Sequence, residues 1–217
     1  MPKLFFLIIF LFSNSVCALE FKGKFYQGNF ILGKVEPNSK VFVDKKEIKV
    51  SKEGFFAFGL SKNRKNDIKI KVVKNESITK EITKKIFKKK YKIQKINGLP
   101  KKLVTPPKEV YERIKKDNEL IVKARSIDSN LVFFKEKFKT PLDQAIITGV
   151  YGSQRILNGI PKSPHYGLDF AAKEGTEVRA MLSGVVTLSE TDLYYTGGTI
   201  IFDHGHGVST LYMHMKD

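Results

Sequence analysis

All four histidines of this chain lie beyond Pro141, at His165, His204, His206 and His214. Imidazole nitrogens and carboxylate oxygens bind zinc at ~2.0–2.2 Å, so donors to one ion must lie close together. His165-Tyr166-Gly167-Leu168-Asp169 offers one donor of each kind, four residues apart. A straight strand would separate those positions by ~13 Å, so the backbone must bend between them, and Gly167 suits a bend. An H-x-x-x-D pair is a weak signal by itself. Farther on, Val208-Ser209-Thr210-Leu211-Tyr212-Met213-His214 alternates as a strand does. That alternation predicts Val208, Thr210, Tyr212 and His214 on one face and Leu211 and Met213 on the other, so His214 joins the polar residues, where a site would be.

The elements that must position these residues change in texture along the chain. From Glu20 to about Val73, aromatic and β-branched runs such as Phe30-Ile31-Leu32, Val41-Phe42-Val43 and Phe55-Phe56-Ala57-Phe58 alternate with turn signals. Runs of this kind predict a small β-sandwich over residues 19–73. It contains no histidine, and its acids fall in turns, so it reads as a spacer or binding module. Residues 74–140 read as a basic connector. Ile78, Ile82, Ile86, Tyr91 and Ile93 stand among lysines, the pattern of half-exposed strands whose lysines oppose aggregation. Thr105-Pro106-Pro107 then predicts the start of a helix running to about Arg125, with Thr105 as cap and Val110, Ile114 and Ile121 on one face. Beyond Pro141 charges thin out and glycine becomes frequent.

The formal charge of +17, from 39 Lys+Arg against 22 Asp+Glu, is concentrated. Residues 62–116 carry 20 basic and 5 acidic side chains, whereas residues 141–217 carry 5 basic and 8 acidic. The basic stretch is rich in lysine, with 34 Lys to 5 Arg in the whole chain. Lysine suits diffuse attraction to an anionic polymer or lipid better than bidentate recognition.

Met1-Pro2-Lys3, the apolar run Leu4 to Phe12, and Val16-Cys17-Ala18 form the charged, hydrophobic and cleavage regions of a signal peptide over residues 1–18. Nine apolar residues span only ~14 Å as a helix, short of a ~30 Å hydrocarbon core. The expectation is export to the periplasm or cell envelope, with cleavage after Ala18. The single cysteine, Cys17, would leave with the signal, which excludes a disulfide framework and a cysteine nucleophile. Export also argues against nucleic acid as partner.

The ordered motifs of the last third carry a resemblance. Gly149-Val150-Tyr151-Gly152-Ser153-Gln154-Arg155, Asn158-Gly159, Pro164-His165-Tyr166-Gly167-Leu168-Asp169 and Gly175-Thr176-Glu177-Val178 come first. Gly184-Val185-Val186, Gly197-Gly198-Thr199, Asp203-His204-Gly205-His206-Gly207 and Tyr212-Met213-His214 follow in order. Together residues 141–217 resemble the N-terminal part of an M23 (LytM/lysostaphin-type) metallopeptidase domain. The resemblance implies a mainly β protein ending in an incomplete antiparallel peptidase sheet. It also implies a zinc endopeptidase that cuts the cross-links of peptidoglycan. His165 and Asp169 correspond to two zinc ligands, and His214 to the catalytic histidine beside the metal. Arg155 and Asn158 fall where they could line the substrate groove or shape a turn.

One departure qualifies the resemblance. The family's third zinc ligand is the second His of an H-x-H motif downstream of the Tyr-x-His strand, and the sequence stops at Asp217 before any such motif. His204-Gly205-His206 precedes the strand and matches the family's turn instead. The expectation is a truncated domain of catalytic ancestry, inactive or weakly active as it stands. The alternative is a non-catalytic peptidoglycan-binding or amidase-activating relative. Ser77-Ile78-Thr79-Lys80 fits an S-x-x-K pattern but has no S-D-N or K-T-G downstream, and reads as chance.

Overall fold

Aromatic and β-branched runs pair off into two facing antiparallel sheets. In the computed structural model, which describes residues 18–144 and 146–216, these strands are β1 (Glu20–Lys22), β2 (Phe30–Lys34), β3 (Lys40–Val43), β4 (Lys46–Ile48), β5 (Phe55–Gly59), β6 (Ile68–Lys74) and β7 (Ser77–Lys84). One sheet has the order β1-β2-β5 and the other β4-β3-β6-β7. Period-two patterning fixes the inner face: Ile68, Ile70 and Val72 are buried while Lys69 between them is exposed. They meet Ile31, Val41 and Phe56 in one core, which extends to Ile86 just beyond β7. The signal-peptide segment lies, except for Ala18, outside the described residues.

The lysine-rich stretch after Val73 therefore contributes to two places. β7 completes the second sheet of the sandwich, and β8 (Ile93–Ile96) pairs in parallel with a strand of the C-terminal region. A short α1 (Lys101–Val104) ends at Thr105, which is extended at φ −135° and caps no later helix. Two successive prolines keep the chain extended there, because a residue before proline is pushed away from helical angles. The long helix α2 (Tyr111–Arg125) starts only after a single 3-10 turn over Lys108–Val110. It buries Ala124 and half-buries Ile114 and Ile121.

The C-terminal strands are β9 (Ile146–Gly149), β10 (Gln154–Leu157), β11 (Ile160–Pro161), β12 (Asp169–Ala171), β13 (Val185–Leu193), β14 (Gly197–Asp203) and β15 (Ser209–Met215). Apart from β8 on β10, they pair antiparallel, as β11-β10, β12-β9 and β13-β14-β15. The fold is mainly β, as the sequence predicts. Helix α2 lies against β13 and β14. Asp117 Oδ2 accepts the Tyr194 N–H at 2.7 Å, and Arg113 donates to the carbonyl and carboxylate of Asp192.

The segment from Asp128 to Lys135 straps the C-terminal strands to the sandwich. Phe134 is fully buried against Leu32 and Ala57, with Val132 and Val208 packed around it. Lys49 Nζ donates to the carbonyls of Asp128 and Ser129, and Lys135 pairs with Glu53.

Candidate metal centre

The bend between His165 and Asp169 brings the two side chains together. Asp169 opens β12 and pairs with Gly149, and the register slips between Asp169 and Phe170. That bulge turns the carboxylate back over β9. Gly149 leaves room for it, because a Cβ at that position would stand 2.1 Å from Asp169 Oδ2 and the carboxylate would have to shift. His165 is buried, and its main chain is held on both sides: its N–H donates to Ser153 at 2.8 Å and its carbonyl accepts from Gly152 at 2.6 Å.

His165 Nε2 stands 2.9 Å from Asp169 Oδ1, and Nδ1 lies 3.3 Å from the Val150 carbonyl. Both neighbours of the ring are acceptors, so the Nε2–Oδ1 contact is attractive only with a proton or a cation on Nε2. Arg155 Nη2 donates to the other oxygen, Asp169 Oδ2, at 2.9 Å. The guanidinium is thus committed to the carboxylate, a partnership that composition and spacing do not reveal. Asn158 sits at the β10–β11 turn with φ +48°, and its amide exchanges hydrogen bonds with the Leu99 main chain at 2.7 and 3.1 Å. It ties the connector to the turn.

His214 has a different setting. Gly198 pairs with Met215 but Ile200 pairs with Tyr212, so a bulge falls at His214. The expected alternation holds as far as Tyr212 and then breaks: His214 takes φ +60°, and its N–H donates to Thr196 at 2.8 Å. Its side chain is exposed. Tyr212, by contrast, is tied inward, its hydroxyl accepting the Met181 N–H at 2.7 Å. Among the described residues no group of three His, Cys, Asp or Glu side chains is placed to hold a metal, so His165 and Asp169 stand as a pair.

The other two histidines serve the framework. His204 is fully buried, with Nδ1 2.7 Å from the Ser183 carbonyl and Nε2 2.8 Å from Thr210 Oγ1. A neutral ring that donates from Nδ1 and accepts at Nε2 satisfies both contacts and leaves no lone pair for a metal. His206, at φ +53°, packs on Phe134 with centroids 4.8 Å apart, and its Nδ1 lies 3.2 Å from the Lys49 carbonyl. Burial holds its pKa below the ordinary 6.5, opposed by the Lys49 carbonyl contact. Ser77 and Lys80 lie on β7, where residues three apart point to opposite faces, so they form no S-x-x-K dyad.

A buried imidazole fixed by main chain, facing a half-exposed carboxylate on a β framework, is a donor pair of the kind used by metal-dependent hydrolases. Residues 163–217 match peptidase family M23. A stretch of 52 residues is 43% identical to the DD-carboxypeptidase/endopeptidase Mpg of Neisseria meningitidis serogroup B. The same identity over the same length is found with the protein of that name from Neisseria gonorrhoeae. The matched stretch is 24% of this chain and 12% of those relatives, so the chain spans only a small part of their length.

Proposed function

We propose that the C-terminal segment carries two of the metal donors of a zinc endopeptidase that hydrolyses cross-link peptide bonds in peptidoglycan. The observation carrying this reading is the 2.9 Å approach of His165 Nε2 to Asp169 Oδ1 within a segment of M23 sequence. Two donors of a tetrahedral zinc, each at ~2.1 Å, stand roughly 3.4 Å apart, so the pair fits an ion after opening by about half an ångström. Zinc there would supply a water acidified toward a pKa of ~7 and a Lewis acid for the scissile carbonyl.

The chain's own residues have separable tasks in this reading. The Val150 carbonyl orients the His165 ring, fixing which nitrogen faces the site. Arg155 holds Oδ2 of Asp169 and leaves Oδ1 on the histidine side. By the family resemblance, His214, exposed near the end of β15, would orient water and stabilise charge on the tetrahedral intermediate. A catalytic zinc takes three protein donors and a water. His165 and Asp169 provide two, and the family's third belongs to a downstream H-x-H motif. Residues 18–216 alone are therefore expected to hold zinc weakly.

Export to the periplasm or cell envelope is part of the same proposal, supported by the Leu4 to Phe12 run of the sequence. Contact with an anionic wall polymer or lipid through residues 62–116 is supported by Lys84, Lys85, Lys88, Lys89, Lys90 and Lys92. All six are exposed, and none forms an ion pair among the described residues.

The test is digestion of purified peptidoglycan by the protein expressed from its complete reading frame, beside its His165→Ala form. Conversion of cross-linked to uncross-linked muropeptides by the first and not the second supports the reading. Equal conversion by both overturns the metal mechanism, and retention on the wall without conversion by either leaves the non-catalytic wall-binding alternative.

A further inference from the structure

The connector and the peptidase segment share an aromatic surface that leads to His165. Tyr166 directly follows His165, is 62% exposed, and meets Tyr151 edge-on at 6.0 Å between centroids. Tyr151 in turn adjoins Tyr91 of the connector. A Cβ on Gly28 would lie 2.6 Å from the Tyr151 ring and 2.8 Å from Tyr91 Oη, and one on Gly152 would lie 2.1 Å from the Tyr91 ring. The Tyr91 hydroxyl donates to the Gln27 carbonyl at 3.0 Å, which anchors the ring. Lys62 and Lys89 place their ammonium groups 4.5 and 5.9 Å from the Tyr91 ring centre. Neither lysine has an acidic partner among the described residues.

Resting on the proposed function, we infer that Tyr91, Tyr151 and Tyr166, with Lys62 and Lys89, form a track that binds the carboxylate-bearing amino-sugar chain of the wall and feeds its peptide toward His165. The occupant follows from the chemistry of the surface. Aromatic rings in succession offer flat apolar faces to the C–H faces of successive sugars, as amphipathic rings do at recognition surfaces generally. Two unpaired ammonium groups at one end complement carboxylates attached to that polymer. The line ends at the residue next to a metal donor, which suits a polymer with a reacting branch. A lipid bilayer would meet a plane rather than a line.

The assay is co-sedimentation with purified sacculi stripped of secondary polymers, in the presence of chelator so that binding is read without hydrolysis. Tyr166→Ala should weaken retention about fivefold, the loss of one ring contact. Tyr166 is exposed enough that its removal opens no cavity, and unchanged melting verifies the fold. Lys62→Gln/Lys89→Gln should weaken retention several-fold and reduce its salt dependence. The control Lys45→Gln/Lys46→Gln, an equal charge change on exposed residues of the sandwich, should bind as wild type. Retention unchanged by Tyr166→Ala, equal loss in the control, or displacement of the protein from sacculi by phosphatidylglycerol vesicles would each overturn the track. The protein expressed from its complete reading frame, if it binds as described but cannot cleave without chelator, would retain the track while refuting the proposed hydrolase.

Discussion

His165 and Asp169 face each other across a backbone bend, with Nε2 and Oδ1 2.9 Å apart, while Arg155 occupies the opposite carboxylate oxygen at the same distance. The aspartate is therefore shared between a candidate metal donor and a fixed cation. Holding Oδ2 on Arg155 turns Oδ1 toward the imidazole, so the arginine acts on the site through the carboxylate.

Asp169→Asn keeps the shape of this side chain and removes its charge. The Arg155 guanidinium then loses a charge-assisted acceptor, at a cost of about 1 kcal/mol in urea unfolding, moderated by partial exposure. Cobalt(II) binding, followed by visible absorption in the full-length protein, should fall at least tenfold. Cobalt affinity equal to wild type would deny Asp169 a place in the proposed metal site.

His204→Ala should act on stability. The ring is fully buried, and both nitrogens are bonded, so truncation leaves a cavity and strands the Ser183 carbonyl and the Thr210 hydroxyl. A loss of roughly 2–4 kcal/mol in urea unfolding is expected. Wild-type stability with reduced cobalt binding would instead mark His204 as a ligand.

His206 should give the fold an acid sensitivity at the joint between the sandwich and the C-terminal strands. Its pKa is lowered in the folded protein, chiefly by burial, so the folded state binds its proton later than the unfolded chain does. The stability it confers is complete above the unfolded value of about 6.5 and is lost as pH falls through the lowered folded value. Lys49, Asp128 and Asp203 are the charged groups acting on it, the first opposing protonation and the other two favouring it. His206→Asn tolerates the positive φ and should flatten the fall in Tm between pH 7 and pH 5, by about the contribution of one titrating group. An unchanged slope would show that other groups cause the acid loss.

His214→Gly separates strain from chemistry. A non-glycine residue at φ +60° is held in the left-handed region, and glycine there relieves about 1 kcal/mol. Thermal unfolding should show equal or higher stability, while cross-link cleavage by the full-length protein is lost. Cleavage retained by a stable His214→Gly protein would deny His214 a catalytic role.

Much of this protein is legible in its residues. Period-two runs such as Ile68-Lys69-Ile70-Lys71-Val72 dictate a buried and a wet face, so the sandwich follows from local pattern. The order of glycines and histidines after Gly149 carries the resemblance of the last segment to peptidase family M23, a similarity that the match of residues 163–217 bears out. The end of helix α2 near Arg125 was legible, but its start, and with it its length, was not. Thr105 resembles a cap, yet the two prolines after it hold the chain extended, and the helix waits until Tyr111.

What the sequence could not decide was which imidazole does what. His165, His204, His206 and His214 are one residue type, separated in function by what tertiary packing sets beside each ring. Main-chain contacts and a bulge turn His165 onto Asp169, burial between Ser183 and Thr210 closes His204, and Phe134 and the Lys49 carbonyl claim His206. The alternation of β15 promised His214 a place on the face of Tyr212, and a single bulge, set by pairing with β14, removed it. Likewise Tyr91 and Tyr166 are far apart in the chain and meet only through Tyr151. Hydrogen-bond register and long-range packing act between distant residues, and no local pattern contains them.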